Sequence, residues 1–77
     1  IYPIPAHSYI KALMRSGVSK VQVIVTSLRG QKLIDETLTP DSRTHEVTLG
    51  IDRLAPGTYY LLLKTERITS KHTFIKK

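Results

Sequence analysis

Along most of this chain apolar side chains recur at every second position, in short stretches broken by Gly, Pro, Asp or Ser at roughly 8–12-residue intervals. That period buries one face of a pleated strand, and no sustained 3.6-residue period competes with it. Ile10, Ala12 and Met14 alternate from Tyr9 onward. After Ser16-Gly17, Val21, Val23 and Val25 share one face, with Gln22 and Thr26 on the other. Arg29-Gly30 turns the chain into a strand over about Lys32–Leu38, and Thr39-Pro40-Asp41-Ser42 is a turn cluster. A strand from His45 to Ile51 follows, with Val47, Leu49 and Ile51 on one side. Pro56-Gly57 opens the most apolar strand, Thr58 to Lys64, and a last strand runs over about Ile68–Ile75. With a short extended stretch around Tyr2, this makes about seven strands and predicts an all-β fold, a small seven-stranded antiparallel immunoglobulin-like β-sandwich. Tyr60, Leu61, Leu62 and Leu63 are apolar on both faces, as a central strand requires. Pro3 and Pro5 lack ladder donors, which confines the first strand to an edge.

A chain of 77 residues is one domain that buries ~60% of its surface on folding. It has room for one thin core and none for a deep substrate pocket, which counts against a self-contained enzyme. Cysteine is absent, so neither disulfides nor thiolate metal sites supplement that core. No apolar run approaches the ~20 residues that span a bilayer. The opening Ile1-Tyr2-Pro3 reads like the interior of a longer polypeptide, so residues 1–77 are expected to be a single module from the end of a larger protein.

Twelve Lys/Arg against six Asp/Glu give a net charge of +6. Residues 1–33 contain no acid, all six acids lie between Asp35 and Glu66, and the chain closes with Arg67, Lys71, Lys76 and Lys77. This favours anionic partners. Nucleic acid is not among those expected, because clustered cations interleaved with aromatics, or a recognition helix, are missing. His7, His45 and His72 show no ligand spacing, and Ser8, Ser42, Asp35, Asp41 and Asp52 form no catalytic pattern. No cofactor, metal or catalytic residue is expected.

Leu54-Ala55-Pro56-Gly57-Thr58-Tyr59 is more specific. Pro fixes one turn dihedral and Gly accepts positive φ, which lets the chain swing between sheets. A Tyr two residues into the next strand can return its hydroxyl to a nearby carbonyl, as tyrosine corners do. Tyr2-Pro3-Ile4-Pro5-Ala6, the Leu28-Arg29-Gly30 turn, Leu54 with Gly57 and Tyr59, and the tail Phe74-Ile75-Lys76-Lys77 follow in order. With these four blocks the chain resembles the C-terminal sorting domain of the type IX (Por) secretion system across essentially its whole length. Ile4 stands where that family usually has Asn, and Ser27 where it usually has Asp.

The resemblance implies a non-catalytic address on proteins exported by certain Gram-negative bacteria. Such a domain is recognised by an outer-membrane translocon and by a sortase-like surface peptidase complex that joins cargo to an anionic lipopolysaccharide. The protein passes through the periplasm and ends on the outer-membrane surface or outside the cell. Sorting residues implied are Gly57, Tyr59, Thr73, Phe74, Ile75, Lys76 and Lys77, with Pro3, Pro5, Leu28, Gly30, Leu54 and Pro56 as structural motif positions. A terminal strand ending in two lysines suits docking by edge pairing and charge steering. The alternative is an accessory immunoglobulin-like adhesion or carbohydrate-binding module, which exposed coplanar aromatics would favour.

Overall fold

Inward-facing Val21, Val23 and Val25, with Leu61 and Leu63 beside them, set the centre of the structure. The computed structural model describes residues 8–77. Six strands are present: β1 (Tyr9–Leu13), β2 (Val21–Thr26), β3 (Lys32–Leu38), β4 (Glu46–Gly50), β5 (Gly57–Lys64) and β6 (Thr69–Lys76). All pairings are antiparallel, with β1 and β4 in one sheet and the order β3-β2-β5-β6 in the other. β2–β3 and β5–β6 are hairpins; the remaining three connections cross between the sheets.

Both sheets bury their apolar faces in one shared core. Ile10, Ala12, Val47 and Leu49 come from the small sheet, while Val21, Val23, Val25, Ile34, Leu61, Leu63 and Phe74 come from the large one. Ile51, Leu54 and Tyr59 complete it. A void between the sheets, lined by Ile10, Ala12, Val23, Val47, Leu61 and Leu63, measures about 10 Å³, room for no more than one water. The period-two reading therefore placed the core faces correctly.

The fold is all-β, as expected, but the described strands number six rather than seven. The stretch around Tyr2, with Pro3 and Pro5, lies outside the described residues. Several boundaries also move. His45 adopts a left-handed φ of 60° and donates its N–H to the Asp41 carbonyl at 2.8 Å, so β4 begins one residue later than the alternation suggests. Gly57 and Lys76 pair with each other, which lengthens β5 and β6 at that end. Tertiary pairing, invisible to local pattern, extends both strands.

The crossing from β3 to β4 is fixed by Asp41. Its Oδ1 accepts the N–H groups of Arg43 at 2.8 Å and Thr44 at 3.1 Å, and these bonds hold its carboxyl below the ordinary 3.8. A carboxylate with a depressed folded pKa contributes stability that is complete above its unfolded value and lost as pH falls through the lowered folded value. Asp41→Asn keeps the acceptor oxygen but cannot titrate. We predict that the stability difference between the two proteins, from urea denaturation, shrinks as pH drops below about 3.8. A difference independent of pH would remove the charge from the account of this turn. Core packing gives a second expectation. Phe74 is 1% exposed, and Phe74→Ala is expected to cost about 3–5 kcal/mol by the same measurement.

Candidate functional site

Stretches far apart in sequence meet at one end of the sheets. Thr26, the last residue of β2, pairs with Tyr60 and with Lys32, which puts the 27–31 turn at the end of the sheet where β5 begins. Gly57 opens β5 there and pairs with Lys76, the last residue of β6. The chain also enters β1 at this end, where Ser8 accepts the Ile51 N–H at 2.8 Å. The Leu28-Arg29-Gly30 turn, the 54–57 corner and the tail are thus neighbours. Pro3, Pro5 and His7 lie outside the described residues.

The turn is held by Ser27. Its carbonyl accepts the Gly30 N–H, its N–H donates to the Gln31 carbonyl, both at 2.9 Å, and its Oγ accepts the Gln31 N–H at 3.2 Å. A serine thereby does the capping that an aspartate does in such turns. Gly30 takes a φ of +90°, in the left-handed region that favours glycine. Leu28, expected as a structural motif residue, is 57% exposed and contributes little burial.

At the corner Leu54 is buried and donates its N–H to the Ile51 carbonyl at 3.0 Å, while Pro56 is exposed. Tyr59 reaches back across it. Its hydroxyl donates to the Ala55 carbonyl at 2.5 Å, and its ring stacks on Phe74 with centroids 5.6 Å apart. This is the expected corner hydrogen bond. Gly57 has a φ of +157°, which L residues rarely adopt. A Cβ there would meet the Tyr59 ring only at 3.9 Å, so a substitution is opposed by the backbone and not by crowding.

Strand alternation divides the tail. Phe74 points into the core, whereas Thr73 and Ile75 face away and are exposed, Ile75 at 47%. Lys76 is half-buried, Lys77 exposed, and the Lys76 ammonium donates to the Lys77 carbonyl at 3.0 Å. Arg29, Lys76 and Lys77 bring positive charge to this end; Arg53 is there too, but its guanidinium is bound to Glu36 at 2.8 Å. One cation outside the predicted set stands out. Lys71 lies 4.0 Å above the Tyr60 ring on the outward face of β6, a contact that only the β5–β6 register reveals.

His45 sits in the 41–45 turn and His72 on β6. Among the described residues no group of three or more His, Asp or Glu is placed to hold a metal. A cleft of about 470 Å³ between the 15–20 and 65–68 loops is at the opposite end from the turn, corner and tail.

A family model described as the secretion system C-terminal sorting domain matches residues 1–77, the whole chain. The chain belongs to that family. Neither a curated protein nor a solved structure matches it. A type IX sorting domain marks a protein for export to the cell surface or beyond and works with the type IX secretion machinery; domains of this family are in general non-catalytic. In this sorting domain, Tyr59 and Phe74 face the core and Thr73, Ile75 and Lys77 face solvent.

Tyr59→Phe is expected to cost about 1 kcal/mol of unfolding free energy, since it leaves the Ala55 carbonyl without its donor. Gly57→Val is expected to cost more than about 1 kcal/mol because a β-branched residue fits that φ poorly. Denaturation curves check both, and an unchanged midpoint in either variant would discard the corresponding half of the corner account.

Proposed function

We propose that this sorting domain is the non-catalytic C-terminal address of a larger exported protein, read by the outer-membrane translocon and then by the surface attachment machinery. The family match carries this reading. Its cargo passes through the periplasm, and a sortase-like peptidase and an anionic lipopolysaccharide act at the surface. The immunoglobulin-like form of the sandwich, with a seventh strand from the stretch around Tyr2, belongs to the same reading.

The geometry supports a division of labour among the proposed sorting residues. Gly57, Tyr59 and Phe74 shape and support the end of the sheets, Thr73, Ile75 and Lys77 present side chains to the receptor, and Lys76, half-buried on the Phe74 side, adds its charge at the end of the strand. Adhesion or carbohydrate binding finds less support. A sugar platform needs exposed aromatic faces, but Tyr59 and Phe74 are buried and Tyr60 is half-buried beneath Lys71. Tyr9 is the exposed aromatic among the described residues.

The test replaces Lys76 and Lys77 by glutamine in a reporter that carries residues 1–77 at its C-terminus. The change removes two of the net six positive charges and leaves the pairing of position 76 with Gly57 in place. We predict an unchanged melting temperature for the domain, with the reporter held in the periplasm and steering toward an acidic receptor weakened most at low salt. Normal surface delivery would sink the role of the two lysines. A wild-type fusion that is not exported at all would sink the sorting function itself.

A further inference from the structure

The four-stranded sheet has two edges, and they are built differently. β3 carries a register shift opposite Val25/Thr26. Glu36 pairs with core-facing Val23, so it is a charged residue on the inward face, held there by Arg53. Asp35 is engaged by Gln22 at 2.9 Å and Lys32 at 3.2 Å, and these bonds lower its pKa. A bulge, an inward charge and paired charges of both signs are devices that discourage a further strand. β6 is charged differently: its charges are all positive, Lys71 on the outward face and Lys76 on the same side as Phe74. Its eight residues contain no proline, no acid and no register shift, and among the described residues no strand pairs with its outer side.

The hairpin register identifies which backbone groups are open. Thr65 donates its N–H to the Ile68 carbonyl at 2.8 Å, which makes that pair a hydrogen-bonded one. Bonded and non-bonded pairs alternate along an antiparallel ladder. Thr69, Lys71, Thr73 and Ile75 therefore turn their N–H and C=O groups away from β5, toward the side with which no strand of the described residues pairs. The side chains along that edge are polar or cationic apart from Phe74 and Ile75, with Lys71, Lys76 and Lys77 the charged ones. Two copies joined through β6 would set these lysines against each other, on molecules that each carry +6. A strand bearing carboxylates meets the opposite condition.

We infer that the open edge of β6 takes an extended, carboxylate-bearing segment of a partner protein as a fifth strand of the sheet. Main-chain bonds to Thr69, Lys71, Thr73 and Ile75 supply the affinity, and Lys71 with the terminal lysines selects the acidic sequence. The inference rests on the sorting reading above and specifies the chemistry of what the machinery presents. It extends the contact from the last residues back to Thr69.

The probe is a capped peptide, Val-Glu-Val-Thr-Val-Glu-Val, with Val-Lys-Val-Thr-Val-Lys-Val as its control. Amide exchange of the 77-residue chain is followed by NMR. The acidic peptide is expected to slow exchange at Thr69, Lys71, Thr73 and Ile75 by about tenfold or more while leaving the β3 edge unchanged. It should bind about tenfold more tightly than the lysine peptide, and Lys71→Glu should abolish that preference. Equal protection at β3, indifference to peptide charge, or sedimentation as a dimer that the acidic peptide cannot dissociate would each overturn the inference. Lys71 is exposed, so folding should survive its replacement; if the Glu variant unfolds, Lys71→Gln gives the same comparison. None of these readouts depends on export. Edge protection together with normal delivery of the Lys76/Lys77 variant would spare the edge inference while removing the lysine-tail reading.

Discussion

Tyr59 holds the corner and the tail to the same core. Its ring packs against Phe74 from β6, and its hydroxyl binds the carbonyl of Ala55 on the far side of the Pro56-Gly57 turn. A phenol can serve in this way because its body is apolar and its tip needs one partner. Without that anchor, the 54–57 segment would have to be ordered by Leu54 and short backbone bonds alone. The position of Lys76 would loosen too, because it pairs with Gly57 at the mouth of the corner. The exposed end of the molecule is therefore set by a buried residue.

Much of the architecture was legible in the residues, for a simple reason. In a sheet with one buried face, alternation states directly which side chains point inward, and Val21, Val23, Val25, Val47 and Leu49 do so. The corner was legible because Pro, Gly and Tyr each impose a local geometry there. The order of strands was not, since any antiparallel pairing satisfies the same alternation. The cation over Tyr60 depends on Leu62 pairing with Lys71 and Tyr60 with Thr73, a register fixed only by the hairpin and the core. The placement of Leu28 was not legible either, because Ser27 and Gly30 shape its turn through the backbone and leave the side chain outside. Pro3 and Pro5 lie beyond the described residues.

Charge follows the strand order in a way that composition conceals. The chain reads as basic ends around a mildly acidic middle, yet folding sends that middle to different places. Asp35 and Glu36 fall on one edge strand, each already engaged by a cation, while Lys71 and Lys76 fall on the other, where β6 has no acid to answer them. Exposed ion pairs contribute little to stability. Their arrangement neutralises one edge of the sheet and leaves the other cationic.

A small domain must place its recognition surface where a thin core can tolerate it. A deep pocket would remove apolar contacts from a core already thin, in which the void lined by Ile10, Val23, Val47 and Leu61 measures only about 10 Å³. A strand edge removes none, because its open N–H and C=O groups need only water until a partner arrives. The strand period divides the tail between the core and the proposed recognition surface. Phe74 is committed inward, Thr73 and Ile75 remain outside, and the open backbone groups belong to the outward-facing residues. Loss of export on replacing Phe74 would thus report on folding before it reported on recognition. Changes at Lys71 or Lys77 touch exposed charge and leave the core intact, whereas the half-buried Lys76 lies on the Phe74 side of the strand. Position within the strand period, and not nearness to the end of the sequence, separates the two kinds of residue.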